Sequence, residues 1–340
     1  MKLHHVLLFC ALMTGPFAQA AKFKDVPVLG STRLVETANQ LLPETKPLRT
    51  LAPSSKEPVL QLSNDSDTPL VFDIPVTYNK AVRFWIVYFQ TTGRGWFKTW
   101  LERSSRYMPR IQSQLRRAGL PQDLAYFAMI ESGFSSHAVS QADAVGLWQF
   151  MEPTGNRYGL RTEWWLDERR DSEKSTKAAI GYISDLYRLF GSWYMVAASY
   201  NMGETRLKKL TKRYSTNNFW KLSELGVLPK ETKNYVPKII AAMLISKAPG
   251  LYGFRDLDYH SPQAYEYFSA PPGTDILSLA NYLGVSAQYM KDLNPELIHG
   301  YIPRTASAHQ IRIPKGSLVA VSKYVHHQLG SNTSLELNRP

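Results

Sequence analysis

The sequence predicts a mainly α domain followed by a small strand–helix–helix–strand (βααβ) module. Three observations carry this. Apolar residues recur at helical spacing from Asn79 to about residue 250, glycines stand where those helices would stop, and two short β-type runs bracket two short helical ones between 264 and 314. Val82, Trp85, Ile86 and Phe89 form the first helical face, and Trp96, Phe97, Trp100 and Leu101 form the next. These aromatics read as core faces before they read as substrate-stacking groups. Further helical patterns cover about 105–118, 122–131, 173–190, 193–201 and 231–247, with Gly119, Gly133, Gly191 and Gly203 at their ends. Tyr265–Phe268 and Gln310–Ile313 are the two strand candidates, with helices at Leu277–Tyr282 and Ala287–Leu293 between them.

The N-terminus reads as an export signal over residues 1–20. Lys2 precedes a short apolar run from Val6 to Met13, and Ala18-Gln19-Ala20 is a small-x-small cleavage pattern, so the mature chain is expected to begin near Ala21 in the periplasm or cell envelope. That run is too short to span a bilayer, and no later stretch reaches the roughly 18 apolar residues a transmembrane helix needs. Cys10, the single cysteine, lies within the signal, and the bulky Phe9 before it argues against a lipid anchor. Its removal leaves no thiol for a disulfide, a nucleophile or a metal site. Residues 21–70, rich in Pro, Ser and Thr, read as a flexible leader.

A net charge of +12 points to an acidic or extended anionic partner: nucleic acid, a membrane surface or a carboxylate-bearing wall polymer. Export weakens the case for nucleic acid. Leu279 to Ser286 has the outline of a DNA-binding helix-turn-helix, but in the following helix Lys291 is offset by Asp292, where groove reading needs a basic face. Eight scattered histidines form no metal constellation, and neither a phosphate-binding glycine loop nor a Ser/His/Asp arrangement is evident, so no metal or cofactor is expected. His326-His327 reads as a solvated helix face.

The chemistry centres on Glu131. In a helix beginning near Gln122, positions 124, 127, 128 and 131 share a face, which sets Glu131 in line with Leu124, Phe127 and Ala128. Gly133 ends that helix and leaves Glu131 in its last turn. Burial and the negative end of the helix both disfavour a charged carboxylate there, which suits a general acid working near neutral pH. Periodicity alone leaves a second reading equally open, a glutamate paired with one of the many arginines. Residues 146–160 then mix turn glycines with aromatic and amide side chains, including Trp148, Gln149 and Tyr158. Sugar rings are held by such sets, an apolar face on an aromatic ring and hydroxyls on amides.

From Ile74 to Met243 the chain resembles the lytic transglycosylases of the soluble-lytic-transglycosylase (SLT) type, especially the subgroup similar to membrane-bound lytic transglycosylase D. The likeness rests on ordered motifs: Leu120-Pro121 with Asp123-Leu124, Glu131-Ser132-Gly133-Phe134, Gly146 to Met151, Thr154-Gly155, Asp167 to Asp171, Ser199 to Gly203, and Asn234 to Pro237. It implies a lysozyme-like (goose-type) helical catalytic domain over 71–255, with Glu131 as catalytic residue. By the same resemblance Ser132, Gln149, Met151, Tyr200, Asn201 and Tyr235 line the saccharide cleft. Glu152 replaces the family's usual proline, and Ser199 and Met202 stand where small alanines are common, changes that bear on subsite shape.

Most glycosidases use two carboxylates about 5–9.5 Å apart. Asp143, Glu152, Glu163 and Asp167 are the available seconds, none of them placed as a partner by the resemblance, and Asp143 reads better as a turn residue. The family's chemistry needs one acid, which cleaves the MurNAc–GlcNAc bond of peptidoglycan and closes a 1,6-anhydro ring without water. Residues 263–316 resemble a divergent LysM domain, with Asp292-Leu293-Asn294-Pro295 and Ile311-Arg312-Ile313-Pro314 as its marks. That implies a glycan-binding appendage, although Pro271 to Asp275 departs from the usual LysM opening. Residues 317–340 are left as a C-terminal tail.

Overall fold

The computed structural model describes residues 70–336, with side chains through residue 327. The expected signal segment, and the leader apart from its last residue, lie outside the described residues. Helix α1 (Lys80–Gln90) starts where Asn79 accepts hydrogen bonds from the backbone N–H groups of Ala81 and Val82, both at 3.0 Å. It buries Val82, Ile86 and Phe89, the face read from the sequence. The two patterns at 96–101 and 105–118 prove to be one helix, α2 (Arg94–Arg117), which runs through Pro109. The proline removes one backbone donor without ending the helix, because Phe97, Leu101, Ile111 and Leu115 continue a single buried stripe across it.

A 3₁₀ turn (Gln122–Leu124) leads into α3 (Ala125–Ser132), which is buried from Ala125 to Glu131. The segment Glu152–Arg157 forms α4, followed by α5 (Ser172–Phe190), α6 (Trp193–Met202), α7 (Glu204–Arg213), α8 (Phe219–Glu224) and α9 (Lys230–Lys247). Helix α9 packs on α1, α3 and α6, and α5 packs on α2 and α6, so α3 lies at the centre of the domain. Helices α4, α7 and α8 were not legible in the sequence. Two of them last only six residues, too short to show a period, and α7 buries only Leu207.

In the second unit, β1 (Tyr265–Ala270) pairs antiparallel with β2 (His309–Pro314), in register from Tyr265 opposite Pro314 to Ala270 opposite His309. Helices α10 (Ile276–Tyr282) and α11 (Ala287–Leu293) lie between them in sequence. Their apolar residues join Ala270, Ile311 and Ile313 in a second core. The segment expected to be a tail begins with α12 (Leu318–Glu336), whose Val321 is buried in that core.

The two units are joined by a continuous seam. Leu166 forms a β-bridge with Leu297, the Asp167 N–H donates to the Glu296 carbonyl at 2.8 Å, and the Ile298 N–H donates to the Trp165 carbonyl at 3.0 Å. Trp165, from the first unit, is buried in the core of the second. The buried Arg312 guanidinium lies 2.7 Å from Asp171 and 3.4 Å from Glu296. Burial alone would lower the Arg312 pKa, but Glu296 and Asp171 outweigh it and hold the value well above the ordinary one.

The start of α3 is clasped to the N-terminal segment. The Asp73 N–H donates to Asp123 Oδ2 at 2.9 Å, and the Asp73 carboxylate accepts from the N–H groups of Gln122 and Asp123 at 2.5 and 2.9 Å. Lys247 Nζ completes the clasp 2.6 Å from Asp123 Oδ1. Burial pushes the Asp123 carboxyl up to about 6, against the pull of Lys247. A carboxyl raised in the folded state contributes stability that is full below its unfolded value near 3.8 and is lost as pH rises through about 6. Lys247→Met strands the charged Asp123 and is expected to cost about 3 kcal/mol at pH 8. Urea unfolding should show a smaller loss at pH 5, where Asp123 takes up a proton. An equal loss at both pH values would remove Asp123 from the explanation.

Candidate active site

Glu131 lies in the last turn of α3, 8% exposed, and the Tyr235 hydroxyl of α9 donates to its Oε1 at 2.5 Å. Phe127, one turn earlier on the same face, sets the spacing of this pair. Its ring meets Tyr235 edge-on at 6.1 Å and Tyr200 edge-on at 5.7 Å. The Tyr200 hydroxyl in turn donates to the Trp148 carbonyl at 2.7 Å. Both tyrosines thus serve the site through hydroxyls already committed, one to the carboxyl and one to the loop beside it.

Ser132 ties the same helix end to the same loop. Its Oγ lies 2.9 Å from the Leu147 carbonyl and 3.1 Å from the Ala128 carbonyl, and it accepts from the Ser135 N–H at 3.2 Å. The adjoining Gly133 is left-handed at φ 57°, and a Cβ there would stand 2.1 Å from the Trp100 indole nitrogen. Only glycine lets that ring cover the chain so closely. Arg103 donates to the Gly133 carbonyl at 2.9 Å, placing a cation at the negative end of α3. Burial lowers the pKa of that guanidinium.

The loop 138–151 is held from behind by Arg169. Its guanidinium binds Asp167 through two hydrogen bonds of 2.9 Å and reaches the carbonyls of Asp143 at 3.1 Å and Phe150 at 3.3 Å. The loop meets this anchor at Gly146, φ 83°, where a Cβ would lie 2.0 Å from the Arg169 carbonyl oxygen. Gln149 is also left-handed, at φ 49°, and its amide donates to the carbonyls of Gly146 at 3.0 Å and Ala138 at 3.3 Å. Met151 stands half-buried at the residue before α4. Asn201, at the end of α6, accepts from the Thr232 hydroxyl at 2.7 Å and donates to Glu231 at 3.3 Å. It joins α6 to the first turn of α9, where Thr232 stands three residues, about one turn, before Tyr235 on the same helix.

The structure therefore gathers Glu131 and Tyr235 in direct contact, ties Ser132 and Tyr200 to the loop carrying Gln149 and Met151, and links Asn201 to the helix carrying Tyr235. Trp100 packs against the core as its spacing predicts, and it also covers Gly133. Arg169 is visible in the sequence only as part of a motif, and Arg103, Glu231 and Thr232 carry no signal there, since each acts through contacts far away in sequence. Of the alternative carboxylates, Asp167 is taken up by Arg169, and Glu163 accepts from the Trp165 indole at 2.9 Å. Asp143 sits in a tight turn at φ 63°, and Glu152 is exposed at the start of α4.

Residues 108–223 match the family model described as the Transglycosylase SLT domain. Over 199 residues the chain is 36% identical to membrane-bound lytic murein transglycosylase D of Escherichia coli K12, an overlap covering 56% of this chain and 43% of that protein. It thus spans less than half the length of that relative. It is also 29% identical over 170 residues to a putative tributyltin chloride resistance protein of Alteromonas, covering 44% of this chain and 82% of that one. Among solved structures, the 70 kDa soluble lytic transglycosylase of Escherichia coli is 21% identical, covering 54% of this chain and 32% of that one at a TM-score of 0.38. The motif order, the family match and the first of these relatives agree: the chain carries a transglycosylase SLT domain over residues 108–223, homologous to membrane-bound lytic murein transglycosylase D.

Proposed function

We propose that this chain is a peptidoglycan lytic transglycosylase in which Glu131 acts first as acid and then as base. The observation that carries this reading is the Glu131 carboxyl, buried at a helix end within the SLT domain and bonded to the Tyr235 hydroxyl at 2.5 Å. Protonated Glu131 delivers its proton to the oxygen bridging MurNAc and GlcNAc, and the bond from that oxygen to MurNAc C1 breaks. The substrate's N-acetyl group steadies the cation-like C1. The Glu131 carboxylate then takes the proton of the C6 hydroxyl of the same sugar, and O6 bonds to C1. The products are a GlcNAc hydroxyl end and a 1,6-anhydroMurNAc end, with no water consumed. Tyr235 orients the carboxyl and stabilises its charge between the two proton transfers.

In this reading Ser132, Gln149, Met151, Tyr200, Asn201 and Tyr235 shape the saccharide cleft. Ser132, Tyr200 and Asn201 do so by fixing the loop and helices around Glu131, while Gln149 and Met151 offer the sugar contacts. The C-terminal module, read as LysM-like, holds the glycan strand near the cleft. The site of action is the cell envelope, reached by export. No described helix is long and apolar enough to cross a membrane.

Mass spectrometry of digested sacculi is expected to find anhydro ends, where a hydrolase leaves reducing ends heavier by one water. Glu131→Gln should reduce muropeptide release by about 10³-fold while leaving the thermal midpoint in place, and full release by this variant would end the assignment. Tyr235→Phe removes only the hydroxyl and should lower kcat by about 10²-fold with KM little changed. A rise in KM at constant kcat would recast Tyr235 as a binding group alone.

A further inference from the structure

An exposed aromatic cluster straddles the seam between the two units. Trp164 of the first unit is 61% exposed, and beside it lie His299 and Tyr301 of the second, also exposed. Each ring touches the other two. Centroids are 5.9 Å apart for Trp164 and His299, 6.0 Å for Trp164 and Tyr301, and 6.3 Å for His299 and Tyr301. The planes are inclined by 31° to 60°, giving a shallow faceted surface.

The backbone beneath is fixed on both sides. Trp165, next to Trp164, is buried in the second core, and the Ile298 N–H, next to His299, donates to its carbonyl at 3.0 Å. Tyr301 forms a β-bridge with Asp275, and the Ile276 N–H donates to the Gly300 carbonyl at 2.9 Å. The backbone under all three rings is thus held in place, which limits the entropy cost of binding.

We propose that Trp164, His299 and Tyr301 form a second saccharide-binding site, built jointly by the two units and taking a GlcNAc-type ring of the glycan strand. The chemistry favours a sugar over an apolar protein segment. All three rings carry a polar edge, indole N–H, imidazole nitrogen or phenol, beside an apolar face, and a pyranose offers the complementary pair of C–H face and hydroxyl rim. A polymeric substrate extends beyond the cleft at Glu131, so a second contact on the same chain raises the effective concentration of strand at the first. This inference rests on the peptidoglycan reading above.

The test uses the full chain carrying Glu131→Gln, so that binding is measured without cleavage. Co-sedimentation with purified sacculi and calorimetric titration with a GlcNAc tetramer should each show about tenfold weaker binding when Trp164→Ala or Tyr301→Ala is added. Trp164→Phe should recover part of the loss, and it serves as the readout if the alanine variant unfolds. Unchanged binding in all three variants overturns the proposal. So does a dimer of the unaltered chain that Trp164→Ala converts to a monomer, since the cluster would then bind a second copy. Failure of the chain with Glu131 intact to form anhydro ends would instead remove the catalytic reading, whatever the binding results.

Discussion

The buried pair of Asp167 and Arg169 is the interaction on which the rest of the structure depends. Two charges taken out of water are stabilising only when their remaining hydrogen-bonding positions are filled. Here Arg169 reaches two loop carbonyls as well as both oxygens of Asp167. Asp167 also caps the turn that begins at Glu168 by accepting from the Arg169 N–H. The five residues from Asp167 to Asp171 therefore look in two directions. Forward, Arg169 secures the loop that carries Gln149. Backward, the Asp167 N–H meets Glu296, and Asp171 meets Arg312 of the second unit. Asp171 further caps α5 through the N–H groups of Glu173 and Lys174. One short charged segment thus orders the loop beside Glu131, the seam and the start of α5.

Much of this was legible in the sequence wherever a local rule governed the residues. The helical stripe of α1, the glycine after Ser132, and the strand and helix limits of the second unit all follow from periodicity and turn chemistry within a few residues. Glu131 at the end of a buried helix follows in the same way. The hydrogen bond from Tyr235 does not, because 104 residues separate the partners and no spacing rule reaches that far. The same holds for Arg103 on Gly133 and Glu231 on Asn201. A resemblance marked Tyr235 and Asn201 as site residues, but only the packing of α9 against α3 and α6 gives each of them a physical task.

The gap between the 96–101 and 105–118 patterns and the seam both show tertiary context at work. A buried stripe, Phe97 and Leu101 then Ile111 and Leu115, carries α2 across that gap and through Pro109. The double tryptophan at 164 and 165 has no periodic explanation at all. It becomes intelligible only when the second unit is present, since one ring enters that unit's core and the other stays at the surface.

The left-handed backbone of Gln149 narrows the evolutionary choices at that position. Residues branched at Cβ are strongly disfavoured in this conformation, and asparagine, aspartate, histidine and glycine adopt it most readily. Because the neighbouring turn is pinned by Gly146 against Arg169, the backbone is not free to move to a commoner conformation when the side chain changes. Side-chain variation in this loop is therefore channelled away from residue 149 and toward positions such as Met151 and Glu152, whose backbone is not left-handed.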